Sequence, residues 1–138
     1  MDKSGILAFL NANRTCHLAT LEGDKPHVRA IGIHKANEDG IIFQSYTIKD
    51  IHKQLCENPK VELCFNNYKD SIQIRVSGAV EFVEDKALKD EVIAKRPFLK
   101  PLVEKEGYDI VTIYRLRKGI ATVWTSETNF APKTYIEL

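Results

Sequence analysis

The sequence is short of the features that mark several large classes of protein. It has three cysteines in 138 residues, Cys16, Cys56 and Cys64, and no Cys-x-x-Cys pair. That count and spacing exclude a disulfide framework and fit a reducing cytoplasm, in which such thiols act as small buried apolar residues. No charge of one sign dominates: 20 Lys and Arg stand against 19 Asp and Glu, a net charge of +1. A general nucleic-acid binder needs a surplus of cations to displace phosphate counterions, so no nucleic-acid partner is expected, although a local basic pocket for one phosphate is compatible. No apolar run approaches the ~18 residues of a membrane span, and no membrane partner is expected. The segment Met1–Gly5 lacks a cationic region followed by a long apolar one, so no secretory leader is expected. There is no internal repeat, low-complexity run or linker, and residues 1–138 are expected to form one domain.

What is present is an ordinary globular balance, 43% hydrophobic and 28% charged. The first ten or so residues read as a short helix that Asp2 or Ser4 can cap, with Ile6, Leu7 and Leu10 at helical spacing. Cys16–Thr20 and Val28–Ala36 read as a hairpin around the turn Glu22–Pro26, and Asn37–Gly40 leads into a third strand, Ile41–Ser45. Thr47 can cap a helix to about Glu57, with Ile48, Ile51, Leu55 and Cys56 on one face, and Asn58-Pro59 stops it. Val61–Asn66 and Ser71–Val83 follow as strands, and Gly78 marks a bulge or bend in the second. Asp85–Lys95 reads as a surface helix broken by Arg96-Pro97 and Lys100-Pro101. Ile110–Leu116 and Ile120–Thr125 read as a last hairpin around Lys118-Gly119, and Thr134–Leu138 as a short final strand. The sum is a mainly β chain of six or seven antiparallel strands with three peripheral helices. Strands in that number hide their edges by closing into a small barrel filled by its own side chains, so a ligand is expected outside the barrel or between subunits.

The chemically informative stretch runs from Pro26 to Leu55. Arg29 stands inside an apolar strand, beside the small residues Ala30 and Gly32, which share a face and leave room for something flat to approach the backbone. Lys49, His52 and Lys53 follow on the polar side of the next helix, and the start of that helix offers free N–H groups and the positive end of its dipole. Two readings stand side by side. Arg29 and Lys49 line a pocket for a phosphate monoester, or Arg29 snorkels and the lysines are a solvated helix face. His17, His27, His34 and His52 show no metal-ligand spacing, and no metal site is expected. No Gly-x-Ser-x-Gly elbow occurs.

The segments Pro26–Ile31, Phe43–Ser45, Lys49–Leu55, Asn58–Val61, Ile72–Val80 and Ala121–Trp124, in this order and spacing, resemble the pyridoxamine 5′-phosphate oxidase-like FMN-binding split barrels. The likeness is nearer to the small, nitroimidazole-reductase-like branch. It implies an antiparallel split barrel that binds FMN at a homodimer interface. It implies that Arg29 reaches the phosphate region, that the backbone of Ala30 and Ile31 lies along the flavin, and that Gln44 and Ser45 contact the cofactor. It implies that Gln73 meets the flavin from the second subunit and that Trp124 lies near the ring, against the plainer reading of Trp124 as core filling.

Two departures shape the expected function. Where the family's oxidases carry Ser-Arg-Lys, this chain has Lys49-Asp50-Ile51, so one cation is moved and one lost, and Lys53 one turn later is the expected replacement. The arginine-bearing C-terminal substrate motif of the oxidases is not matched by Lys133–Leu138, and oxidation of pyridoxamine phosphate is not expected. The reading is an FMN-dependent oxidoreductase of a small molecule, with no catalytic side chain evident. Its alternatives are a non-catalytic flavin-binding or electron-transfer protein, or a scaffold that binds haem or another ligand instead.

Overall fold

A computed structural model describes all residues, 1–138, as nine strands and four α-helices. In chain order these are α1 (Lys3–Ala12), β1 (Thr15–Glu22), β2 (Lys25–Gly32), β3 (Lys35–Asn37), β4 (Gly40–Tyr46), α2 (Asp50–Glu57), β5 (Lys60–Asn67) and β6 (Ile72–Phe82). They continue with α3 (Lys86–Ala94), α4 (Leu99–Glu106), β7 (Val111–Leu116), β8 (Ile120–Thr125) and β9 (Ile136–Glu137). Every strand pair is antiparallel. The strand order is β2-β1-β5-β6-β7-β4-β3, with β8 on β6 and β9 on β8.

Three long passages of chain serve two sheets each, and this makes the structure a split barrel. β2 pairs with β1, but at Ile33–His34 the chain kinks. The Ile33 N–H donates to Arg14 O (3.0 Å) and the His34 N–H to Ile42 O (2.7 Å), so β3 continues against β4. The expected strand Val28–Ala36 is therefore two strands. β6 pairs with β8 over Ile72–Ser77 and with β7 over Val80–Phe82, while its register with β5 runs unbroken through Gly78. Gly78 thus marks the changeover between partners rather than a bulge against β5.

β7 and β8 are not the expected hairpin. Both run antiparallel to β6, so they point the same way along it, interrupted only at Arg117–Gly119. Lys118 takes a left-handed conformation there (φ 56°), and a Cβ on Gly119 would lie 2.5 Å from Leu116 Cδ2. A sharp backbone step at a Lys-Gly pair looks in sequence like a two-residue turn.

Nineteen buried residues fill the barrel, among them Leu18, Phe43, Phe65 and Tyr114. A second cluster of six, including Ile42, Val92, Leu99 and Val111, lies beneath α3 and α4. α1 is capped by Asp2, one of the two expected caps, which accepts the Gly5 N–H (2.8 Å). Asn11 completes the open edge of β3. Its amide donates to Ala36 O (2.7 Å) and its carbonyl accepts the Ala36 N–H (3.0 Å), as a neighbouring strand would.

Two helices differ from expectation. α4 is additional, because Pro101 sits in its first turn, where the missing N–H would have had no intrahelical partner. α2 starts at Asp50 with Lys49 as N-cap, so Thr47 is not the cap; its N–H is taken by Ile110 O (2.9 Å). The shift leaves Ile48 76% exposed and Cys56 exposed, and it puts Gln54 on the buried face with Ile51 and Leu55.

Candidate functional site

The late start of α2 opens a cavity of about 740 Å³ around the edge strand β2. Side chains alternate along β2, so the cavity receives Arg29 and Ile31 from the barrel side and Val28, Ala30 and Gly32 from the outer side. The opposite wall comes from the end of β4, with Gln44, Ser45 and Tyr46, and from Ile48 and the first residues of α2. A Cβ built on Gly32 would meet nothing within 4 Å, so this stretch of β2 presents bare backbone to open space.

Arg29 is the centre of the site. It lies opposite Leu18 across the β1–β2 ladder, hence on the inward face, at the barrel's mouth. Its Nη1 donates to Leu18 O (3.2 Å) and Thr20 Oγ1 (2.7 Å), and its Nη2 to Gln54 Oε1 (2.8 Å). All three acceptors are neutral, and no carboxylate forms an ion pair with it. Burial pushes the guanidinium below the ordinary arginine range, with Asp50 pulling the other way. Arg29 thus keeps its charge without a bonded counter-ion.

Several polar groups around it also lack partners. Gln44 Oε1 is fully buried without a hydrogen bond. The Ser45 residue is buried at the cavity wall. Lys49, at the N-cap of α2, makes no ion pair and holds its Nζ 5.9 Å from the centroid of the Tyr46 ring, and the first turn of α2 opens on the cavity. Glu22 and His27 lie at the rim, 3.4 Å apart, and satisfy one another.

The structure thus brings Arg29, Ala30, Ile31, Gln44, Ser45 and Lys49 to one cavity. Lys53 is exposed and does not line it, because the helix starts late and turns that side chain to solvent. His52 also faces elsewhere, with its Nδ1 2.7 Å from the hydroxyl of buried Tyr114. Gln73 and Trp124 face each other across β6 and β8 and line a second cavity of about 380 Å³. The Gln73 amide donates to Asn66 Oδ1 (2.9 Å), and the Trp124 indole, 39% exposed, donates to Asn129 Oδ1 (2.9 Å). Trp124 is therefore not core filling.

Thr20, Gln54 and Asp50 are additional members of the site. Thr20 and Gln54 carried a legible signal. Thr20 continues the inward alternation Cys16, Leu18, and Gln54 stands one position before Leu55 on the buried face of α2, so each is a polar residue at a core position. The histidines do not converge. His34 is buried between Glu91 and Arg96, and His17 is exposed on the outer face. No three His, Cys, Asp or Glu side chains gather as a metal site. No helix is long and apolar enough to cross a membrane.

Fold and cavity together define a split-barrel protein with a polar cleft at its open edge strand. The chain belongs to the pyridoxamine 5′-phosphate oxidase family, whose model matches residues 3–107. A pyridoxine/pyridoxamine 5′-phosphate oxidase of Rhodopseudomonas palustris is 33% identical over 89 residues, 64% of this chain and 42% of that protein. The chain thus spans less than half the length of the curated relative it matches. Among solved structures, a NimC/NimA family protein of Clostridium acetobutylicum superposes with a TM-score of 0.78 at 28% identity, covering 98% of this chain and 92% of that one. A pyridoxamine 5′-phosphate oxidase-related, FMN-binding protein of Nostoc punctiforme gives 0.65 at 16% identity, covering 96% and 88%, a likeness of fold.

Proposed function

We propose that this chain is an FMN-dependent oxidoreductase acting on a small molecule. The observation that carries the reading is Arg29, a cation held by neutral acceptors and facing, with Lys49, the opening of α2 beside a bare stretch of backbone. A phosphate monoester suits the first part of that description, and a flat ring suits the second. Arg29, Lys49 and the N–H groups of α2 would hold the phosphate, and Ala30, Ile31 and Gly32 would border the ring. Gln44 Oε1, buried without a donor, fits a ring-edge N–H. FMN bound there would supply two-electron transfer to or from the substrate. The family match and the FMN-binding Nostoc relative support the choice of FMN.

A homodimer is part of the reading. Directly opposed residues of a sheet share a face, so Ala30, His17, Cys64, Arg75 and Thr122 form one row across β2, β1, β5, β6 and β8. Gln73 and Trp124 lie on that same outer face, and Val28 on it is 69% exposed. A second copy seated on this face would cover it and bring Gln73 and Trp124 to the first copy's Arg29 cavity. The cysteines, all unpaired, suit a cytoplasmic location.

The test is the visible spectrum of the purified chain with and without added FMN, followed by NAD(P)H and reoxidation by candidate acceptors. A yellow complex bleached by the nicotinamide supports the reading. A colourless protein that ignores FMN in calorimetry refutes it. A flavin-binding protein without catalysis is the second reading: at the cavity rim Glu22 and His27 pair with one another, which leaves Asp50 as the one unpaired carboxylate of the lining. Tight FMN binding with no turnover by any reductant would select it.

A further inference from the structure

We propose that Thr20 and Gln54 are the positioning residues of this cavity, and that the Gln54 amide is itself a donor to the phosphate of the bound molecule. The inference rests on the FMN reading above.

Gln54 is 6% exposed and Thr20 2%. Gln54 Oε1 accepts from Thr20 Oγ1 (2.6 Å) and from Arg29 Nη2 (2.8 Å). Thr20 Oγ1 in turn accepts from Arg29 Nη1 (2.7 Å). A guanidinium can only donate, so the direction of every bond is fixed. The threonine proton must point to Gln54, and the Gln54 carbonyl must face Thr20 and Arg29. Flipping the amide would set its NH₂ against the guanidinium. The Gln54 Nε2 therefore points away from this triangle, and it makes no hydrogen bond within the chain although Gln54 lines the cavity. An amide donor left unused beside a cation, on a side chain that lines the cavity, is free for an oxyanion.

The chemistry of the clamp matters as much as its geometry. With Leu18 O it gives three points that fix the guanidinium plane. All are neutral, so the charge of Arg29 is left for the ligand. A carboxylate at position 54 would hold Arg29 equally well and neutralise it.

The test titrates the full chain with FMN and with riboflavin, which differ only in the phosphate, and reads the ratio of the two dissociation constants. Gln54→Glu is expected to weaken FMN at least ~10-fold and leave riboflavin within ~2-fold. Gln54→Met, which keeps the buried volume, is expected to shift the ratio in the same direction and guards against a charge-induced folding failure. Thr20→Val should raise the FMN-to-riboflavin ratio of dissociation constants, and Thr20→Ser should leave it near that of the parent. Parallel loss of both flavins would reduce the pair to structural support and overturn the proposal, as would unchanged FMN affinity in both Gln54 variants. A parent chain that binds neither flavin overturns the FMN reading itself, and this inference with it.

Discussion

Replacing Arg29 by alanine isolates the cavity's main cation, and the structure sets the size of the effect. Of the five N–H groups of a guanidinium, both on Nη1 go to Leu18 O and Thr20 Oγ1, and one on Nη2 goes to Gln54 Oε1. The Nε proton and one on Nη2 are left for a ligand. One or two charge-assisted bonds at ~1.5–3 kcal/mol each, discounted because the residue is half-exposed, place the loss at about 1–4 kcal/mol. That is roughly a 5- to 700-fold rise in the dissociation constant for FMN. Riboflavin, lacking the phosphate, should bind the variant and the parent alike.

The fold should survive the change. Thr20 and Gln54 still bond to one another across 2.6 Å, and no core volume is removed because Arg29 lies at the mouth of the barrel. Unfolding in urea is expected to shift by less than ~1.5 kcal/mol. Arg29→Lys keeps the charge but not the fork, and should fall between the two. Quenching of flavin fluorescence on binding gives both affinities in one assay. An Arg29→Ala chain that binds FMN within about twofold of the parent would refute the phosphate role, because no single bond of this class is worth so little.

Stability should also depend on pH through His34, whose Nδ1 accepts from Arg96 (2.9 Å) and whose Nε2 proton therefore faces Glu91 (2.6 Å). Burial lowers its pKa from the ordinary 6.5, with the Glu91 hydrogen bond opposing. The neutral ring is favoured in the fold, so the stabilisation is complete above 6.5 and is lost as pH falls through the lower folded value. Urea midpoints measured against pH should decline below 6.5, and His34→Gln should flatten that decline. Gly40→Ala should cost at least ~2 kcal/mol in the same assay. Gly40 has φ +126° and an added Cβ would lie 2.5 Å from Leu116 O; an unchanged midpoint would contradict that packing. Asp50→Asn should strengthen FMN binding by about threefold, since it removes a negative charge from the first turn of α2, and a weaker complex would place the phosphate elsewhere.

Much of the fold was legible in the sequence because it rests on local alternation. β1, β4, β5 and β6 emerge from their apolar patterns to within a few residues, and Asp2 and Asp85 cap helices as their side chains suggest. The changes of strand partner were not legible. The kink at Ile33–His34 and the step at Arg117–Gly119 are set by which neighbour each half of the strand meets, a long-range choice that leaves no periodic trace. α4 was hidden because proline breaks a helix interior but not a first turn. At the site, β2 and the end of β4 could be located from small residues and one arginine. The clamp of Thr20 and Gln54 could not be assembled, because 34 residues separate them and only the closed barrel places α2 against β1. Lys53 failed to reach the cavity for the same local reason that moved the start of α2: the tight turn from Tyr46 O to the Lys49 N–H (3.1 Å) delays the helix by half a turn or more.

The charges around the cavity explain why the clamp is neutral. Arg29, Lys49, Glu22 and Asp50 all line it, so the lining carries two cations and two anions. The long-range field of such a rim is weak, and at ordinary ionic strength it is screened within ~10 Å. Recognition of a phosphate must then come from short, directed bonds made by groups that are not already neutralised. Arg29 meets that requirement because Leu18 O, Thr20 Oγ1 and Gln54 Oε1 fix its plane without cancelling its charge. Had Thr20 or Gln54 been a carboxylate, an internal ion pair would have neutralised Arg29 before a ligand arrived. On the proposed reading, a site with Asp50 in the first turn of α2 can therefore still grip an anion, provided its one inward arginine is held by oxygens that ask for hydrogen bonds and not for charge.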